Sequence, residues 1–301
     1  MQKHLTILLT YHITAEDTAL LYSLHEEKHF DILGMEMANC AEQQRLELED
    51  DLEKHKPSGR NFMISSNNKA YSTALYGYLE QTHLIPKIIE QYSSQEWFHI
   101  MELYDLRQTC NDWLKEALMT HGDLTTAIQA QYWHIMADIE LIDKRTKRMA
   151  TTIPLLFDEA ASHPKLRDKQ GIHMVVPVGC LHKELEQLLQ STAPEIVVTS
   201  VQQYDPFPLF TEDQLLYDII IEKKRHIKPE EIGRAVFAMP LRVMAEHYFQ
   251  LGRVEAIVTT RKLVSDLTME QMESIAELLS KGDNHAENEK YVKLWETVAQ
   301  H

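Results

Sequence analysis

Strand, helix and strand follow one another twice along this chain, and this alternation limits the fold more than any other feature of the sequence. Near the N-terminus a short β-rich run, residues 4–10, leads through a helical pattern into a second apolar run at residues 30–37. The same order returns with apolar runs at residues 172–178 and 195–201 on either side of a helical segment. Strands that alternate with helices are typical of βαβ units and parallel sheets. We therefore predict an α/β fold with a parallel or mixed sheet and flanking helices.

The stretch between these two passages, residues 41–163, carries helical patterns and no clear strand. We predict a large helical insertion of three or four helices, in which Pro86 and Pro154 break or kink their helices. After the DPFP sequence that follows the last predicted strand, the pattern is again helical. The sequence thus predicts an α/β domain over residues 1–204, with its insertion at about 41–163, and a helical C-terminal region over residues 205–301.

The charge balance narrows the classes of partner. The 301 residues include 46 acidic and 30 basic side chains, which gives a formal net charge of -16, and we find no basic patch. Such a surface repels nucleic acids and anionic membranes. No apolar run approaches the roughly 18 residues of a membrane span. We predict a cytoplasmic protein with no nucleic-acid partner and no membrane span.

The scarcity of glycine and cysteine removes several kinds of site. With 9 glycines and no GxxxxGK[ST], GxGxxG or GxSxG motif, a phosphate-cradling loop is not expected. The 3 cysteines lie far apart and form no CxxC, which argues against a disulfide framework or a structural zinc site and favours a reducing compartment.

Three polar residues fall where the predicted strands end. His12 follows the first strand, Glu36 lies at the end of the second, and His182 follows the later strand just after Gly179. Because ligand sites form at the carboxyl ends of parallel strands, we expect these side chains to share one crevice. Two imidazoles and a carboxylate can hold a divalent metal and leave positions open for water and substrate. Gly179 would supply a tight turn that brings the backbone close to a bound group.

The same residues also allow plainer interpretations. The chain has 16 histidines, so some histidine near a strand end is expected by chance. A carboxylate inside the apolar run ILGMEM is partly buried and needs a partner. The alternative to metal binding is therefore that Glu36 pairs with a nearby arginine or lysine.

Three segments resemble a known family. LLTYHITAEDTALLYSLHEEKHFDILGMEM is similar to the opening of the TraB/Tiki-like superfamily, which also includes erythromycin esterases and ChaN-type haem-binding proteins. Its members open with a strand and a GxxH motif, then a helix, then a strand that ends in glutamate. VVPVGCLHKELEQLLQSTAPEIVV resembles the second GxxH motif with its helix and closing strand. Between them, IDKRTKRMATTI resembles the segment in which an arginine precedes a Met-Ala pair by four residues.

The resemblance implies a metal-dependent hydrolase of a peptide or ester bond. Carried over residue by residue, it makes His12, Glu36 and His182 the ligands of a divalent metal ion. That ion would lower the pKa of a bound water and polarise the scissile carbonyl. Arg145 falls on the motif arginine and would stabilise the oxyanion, and Glu36 is alternatively the general base. The resemblance covers residues 5–201 and leaves the C-terminal helices outside it.

Two other functions stay open at this stage. A relative of the haem-binding members would hold haem or iron through Tyr11 and His12 without turnover. An interaction protein with a dead site is favoured by Leu9, which stands where the first motif has glycine. In that case the helical regions would supply the surface for a protein partner, whereas a hydrolase would bind a peptide or small-molecule substrate.

Overall fold

The chain forms two compact units. The structure is a computed structural model, and it describes residues 1–10, 18–39, 42–64, 69–202, 209, 211–224, 226–280 and 287–299. The first unit, the sheet unit, comprises Met1–Ile100 and Ile142–Phe207, and the second, the helical unit, comprises Met101–Leu141 and Pro208–His301. The helical unit therefore takes in Met101–Leu141, which the sequence places in the insertion of the first domain.

Five strands, all paired in parallel, form the sheet: β1 (Gln2–Thr10), β2 (Ile32–Asn39), β3 (Ile85–Gln91), β4 (Gly171–Gly179) and β5 (Ile196–Gln202). Their order across the sheet is β3-β2-β4-β1-β5. Residues 5–10 of β1 are buried without interruption, as expected for a parallel strand covered on both faces. The predicted α/β fold is confirmed, and the four strands expected from the sequence are all present.

The described part of the sheet unit contains residues of α1 (Ala19–Lys28), α2 (Glu42–Glu53), α3 (Pro57–Ile64), α4 (Lys69–Thr82), α5 (Ser94–Glu116), α6 (Leu124–Ala161) and α7 (Leu185–Thr192). Side chains from α1, α2 and α4 pack with strand residues in one apolar core, which includes Leu8, Leu21, Leu52 and Tyr78. Pro154 lies inside α6 and does not break it, because the helix continues to Ala161.

The predicted absence of strands from residues 41–163 is also wrong, because β3 lies within this segment. Its sequence, IPKIIEQ, is buried at six of seven positions, which suits a strand inside a covered sheet. Pro86 does not break a helix but lies in β3 at the edge of the sheet. A proline is tolerated there because its missing N–H removes no ladder hydrogen bond. β3 matters for function because it carries Glu90.

The helical C-terminal region is confirmed. The helical unit contains α8 (Thr211–Ile220), α9 (Pro229–Val243), α10 (Arg253–Ser265), α11 (Met269–Ser280) and α12 (Glu287–Val298). Apolar side chains of α9, α10, α11 and α12 share one core, which includes Leu118, Phe237, Met272 and Leu294. Among the described residues, no helix has both the length and the apolar character needed to cross a membrane.

Candidate functional site

Glu36 is a buried carboxylate near the carboxyl end of β2. Its side chain is 9% exposed. Its Oε2 accepts a hydrogen bond from the backbone N–H of Gly179, at 2.9 Å, and its Oε1 accepts one from Nη2 of Arg145, at 2.8 Å. Because β2 pairs with β4, the last residue of β4 delivers its amide to this carboxylate. Glu36 is therefore fixed by the sheet on one side and by α6 on the other.

His182 reaches the same carboxylate from the end of β4. It lies in a short 3₁₀ turn, Cys180–His182, and its Nε2 is 3.2 Å from Oε1 of Glu36. A carboxylate only accepts hydrogen bonds, so Nε2 carries the proton while Glu36 is ionised. The other ring nitrogen, Nδ1, is 2.7 Å from the hydroxyl of Thr146. The imidazole is thus held between a carboxylate and a hydroxyl.

Arg145 joins two carboxylates. Its Nε and Nη2 donate to the two oxygens of Glu90, at 2.8 and 2.6 Å, while Nη2 also donates to Glu36. The Glu90 side chain is fully buried, and it also accepts a hydrogen bond from the Tyr92 hydroxyl at 3.0 Å. Two buried acids need a counter-charge, and a guanidinium that engages both oxygens of a carboxylate is the strongest common form of it. We call Glu36, Glu90, Arg145 and His182 the strand-end cluster.

The structure therefore brings together three of the four side chains singled out from the sequence: Glu36, Arg145 and His182. The fourth, His12, lies outside the described residues, as does Tyr11. The structure does describe Leu9. It is 2% exposed and pairs with Val178, next to the end of β4. Leu9 is thus a core residue near the carboxyl end of β1.

The prediction that position 179 needs a glycine for a tight turn is wrong. Its φ and ψ are -59° and 145°, which any residue adopts, so no glycine-specific turn is present. Among the described residues, a Cβ added at Gly179 would meet the ring of His182 alone, at an ordinary 3.8 Å. What this position supplies is its backbone N–H, which holds Glu36.

The described residues do not form the ligand set of a metal ion. They contain no group of three or more histidine, cysteine or acidic side chains placed to bind one. Moreover, the Glu36 oxygen nearest His182 already accepts from the Arg145 guanidinium, and this fixed positive charge opposes a dication at the same oxygen. A metal ion bound by Glu36 and His182 would also need His12 as a ligand, and Arg145 would have to move away from Glu36.

Sequence reasoning missed Glu90, Thr146 and Tyr92. A signal for Glu90 was present, because it is an acid at the end of the apolar run LIPKII, as Glu36 is in ILGMEM. It was overlooked because that run was assigned to a helical insertion. Thr146 had no signal of its own, since its importance depends on a contact with a residue 36 positions away.

Comparisons with known proteins add no relative to this picture. The chain matches no family model, and no curated protein or solved structure is similar to it. The resemblance to the TraB/Tiki-like superfamily and the roles that it implies therefore stay predictions. The function is argued below from this chain's own residues.

Proposed function

We propose that the chain hydrolyses a peptide or ester bond at the carboxyl edge of its sheet. The observation that supports this most directly is the buried contact between Glu36 and His182, with the Thr146 hydroxyl on the far side of the imidazole. A carboxylate that orients an imidazole, which in turn contacts a hydroxyl, serves acyl transfer in several unrelated folds. Its position also fits, because ligand sites of open α/β sheets lie at the carboxyl ends of the strands.

Glu36 orients the imidazole in this proposal and does not remove a substrate proton. It accepts hydrogen bonds from at least three donors, on Arg145, His182 and Gly179, and such a carboxylate is a weak base. With Nε2 committed to Glu36, the exchangeable position of His182 is Nδ1. The Thr146 hydroxyl donates its own proton to the carbonyl of Ile142, at 2.7 Å. His182 therefore takes a proton at Nδ1 from an attacking water that displaces this hydroxyl, and returns it to the leaving group.

Arg145 supplies positive charge for the negative charge that develops on the carbonyl oxygen. Arg145 contacts Glu36, the carboxylate that holds His182. Because Glu36 and Glu90 both accept hydrogen bonds from Arg145, its guanidinium is oriented before substrate arrives. Charge that is already oriented costs no reorganisation when the transition state forms. Stabilisation of the oxyanion by Arg145, which the family resemblance implies, therefore stays a proposal.

Metal dependence is a separate prediction that metal analysis of the purified protein tests. A metal-dependent enzyme would carry stoichiometric divalent metal that is lost in His182→Ala. If the strand-end cluster acts without metal, neither protein contains stoichiometric metal, and a chelator does not change the rate of hydrolysis. Stoichiometric metal lost in the variant would contradict the metal-free proposal.

Binding without turnover is the second candidate, and the closed hydrogen-bond network favours it. Both carboxylate oxygens of Glu36 and both ring nitrogens of His182 already have protein partners. A ligand would then bind beside a purely structural cluster. Haem binding, the alternative carried by the family resemblance, predicts a Soret band when haem is added. An interaction protein predicts that cellular activity survives replacement of Glu36 or His182.

The partner and the location also stay predictions. A protein partner would use the helical C-terminal region, and the composition favours the cytoplasm. Fractionation of cells that express the tagged full chain tests the location, and its co-purifying proteins test the partner.

Hydrolysis is tested with panels of fluorogenic peptides and p-nitrophenyl esters. His182→Ala is expected to lower the rate by about 100-fold or more, because general acid–base groups contribute that much. The matched control is His163→Ala, which also removes an imidazole near a glutamate, Glu53, at 3.4 Å. It should keep the wild-type rate. No hydrolysis by wild type, or equal loss in both variants, would overturn the proposal.

A further inference from the structure

A cavity of about 270 Å³ lies in the sheet unit beside the strand-end cluster. Its lining includes Tyr92, Glu96, Lys144, Lys147 and Arg148. The three basic residues come from a single turn of α6, at positions i, i+3 and i+4, which place them on one face of the helix. Arg145, on the same turn, instead reaches the buried carboxylates of the cluster.

The cavity has an excess of positive charge, so the interpretation that the chain has no basic patch is wrong at this place. Glu96 is the acid in its lining, and it lies 3.5 Å from Nη1 of Arg148. Lys147 pairs with Asp143 at 2.8 Å. Both side chains are at least half exposed, so this ion pair contributes little free energy. On a chain with a formal net charge of -16, a concave basic surface is unexpected unless it has a purpose. A concave surface lined with one sign of charge concentrates ions of the opposite sign.

Arg148 is oriented before any ligand arrives. Its Nε donates to the backbone carbonyl of Gln91, and its guanidinium lies 5.9 Å from the centre of the Tyr92 ring. A guanidinium has five N–H donors, and none of the described residues accepts a hydrogen bond from its Nη2. A side chain fixed by its Nε presents the remaining donors in the geometry that carboxylates and phosphates prefer.

Tyr92 connects the cavity to the strand-end cluster. Its ring lines the cavity, and its hydroxyl donates to Glu90, which is bound to Arg145. An anion in the cavity would therefore lie one side chain away from the cluster. We propose that this cavity binds the carboxylate or phosphate group of a small molecule or peptide, through Lys144, Lys147 and Arg148. Anion binding does not depend on hydrolysis, and the further statement that the anion belongs to the substrate rests on the proposed function.

Calorimetric titration of the full chain with inorganic phosphate and with succinate, at fixed ionic strength, tests this proposal. Wild type is expected to bind at least one probe saturably, and the preferred probe distinguishes phosphate from carboxylate. The double variant Lys144→Gln/Lys147→Gln should weaken binding about 10-fold or more, and Arg148→Gln at least as much. Since Lys147 is largely exposed, the double variant should fold normally.

Lys54→Gln/Lys165→Gln is the matched control. These two lysines are about half exposed or more, pair with acids as Lys147 does, and lie outside the cavity lining. Binding should be unchanged in this control. The proposal is overturned if wild type binds neither probe saturably, or if the control loses as much affinity as the cavity variant. The titration needs no turnover, so its failure is distinct from a failure of the hydrolase proposal.

Discussion

Two charge clusters in the sheet unit, both buried except for Glu159 of the second, are built from similar parts and differ in one component. The strand-end cluster joins β2, β3, β4 and α6. The second cluster, which we call the support cluster, joins α2, β3 and α6 through Arg45, Glu49, Lys87 and Glu159. Each contains two carboxylates and each draws one residue from β3 and one from α6. Only the strand-end cluster contains an imidazole.

This difference separates a site that can exchange protons from one that cannot. In the support cluster, Glu49 accepts from Arg45, Lys87 and the backbone N–H of Ile88, at 2.9 Å each. Arginine and lysine keep their protons at neutral pH, so this cluster holds fixed charges only. Histidine is the side chain whose charge changes most readily near neutral pH. We therefore expect changes in the support cluster to alter stability and changes in the strand-end cluster to alter activity as well.

The largest expected effect on stability comes from Arg145→Met. It leaves Glu36 and the fully buried Glu90 without their shared cation, and unpairing buried charges costs about 3 to 5 kcal/mol. The free energy of unfolding should fall by this amount in urea denaturation. Hydrolysis per folded molecule should fall too. Loss of stability without loss of hydrolysis would place Arg145 in the same class as the support cluster.

Lys87→Met should cost less, about 2 to 3 kcal/mol, because Arg45 still contacts both Glu49 and Glu159. The change removes one of two cations and keeps the aliphatic part of the side chain. Urea denaturation measures the loss, and hydrolysis per folded molecule should stay within about 3-fold of wild type. A large loss of turnover would show that the two clusters are not functionally separate.

A partly buried pair in the helical unit, Glu212 and Arg242, sharpens the comparison because its carboxyl does titrate. Burial first and the neighbouring Asp213 second raise the pKa of Glu212 to about 7, although Arg242, 3.2 Å away and also bound to Glu246, opposes the shift. A raised folded-state pKa gives stability that is complete below about pH 4.5 and is lost as pH rises through about 7. Wild type should therefore lose up to about 3 kcal/mol over this range relative to Glu212→Gln. Thermal unfolding from pH 4.5 to 8 measures it, and parallel curves would contradict it.

The smallest expected effect is that of Gly179→Ala. Its φ is ordinary and the added Cβ meets only the His182 ring at 3.8 Å, so the unfolding free energy should change by less than about 1 kcal/mol. Hydrolysis should also persist, since the backbone N–H that holds Glu36 remains. Urea denaturation and initial rates check both expectations. A loss of activity above about 10-fold would show that this position needs glycine for a reason outside the described contacts.

The sequence predicts those strands whose apolar runs stand alone and misses β3, which contains a proline and two charged side chains. β1, β2, β4 and β5 are short apolar runs next to helical patterns. β3 contains Pro86, Lys87 and Glu90. Charged residues such as Lys87 and Glu90 are more typical of a helix than of a buried strand. Whether Lys87 can be buried depends on Glu49 and Glu159, which lie 38 and 72 positions away. No local pattern contains that information.

The same limit applies to the site. A carboxylate in an apolar run predicts burial and a partner, and the structure shows Glu36 buried and paired with Arg145. The identity of the partner follows only from the packing of α6 on the sheet, 109 positions along the chain. The family resemblance singled out Arg145 by motif, whereas Glu90 and Thr146 belong to no motif that we recognised. The contacts of α6 therefore determine which residues complete the site, and the sequence alone does not reveal these contacts.

The separation of the two clusters is tested most directly by one paired measurement on Glu36→Gln and Glu49→Gln. Both variants remove the charge of a buried glutamate that accepts from an arginine and from a backbone amide. Initial hydrolysis rates, expressed per folded molecule, should fall by about 100-fold or more for Glu36→Gln. They should stay within about 3-fold of wild type for Glu49→Gln. Equal rates in the two variants would contradict a catalytic role for the strand-end cluster.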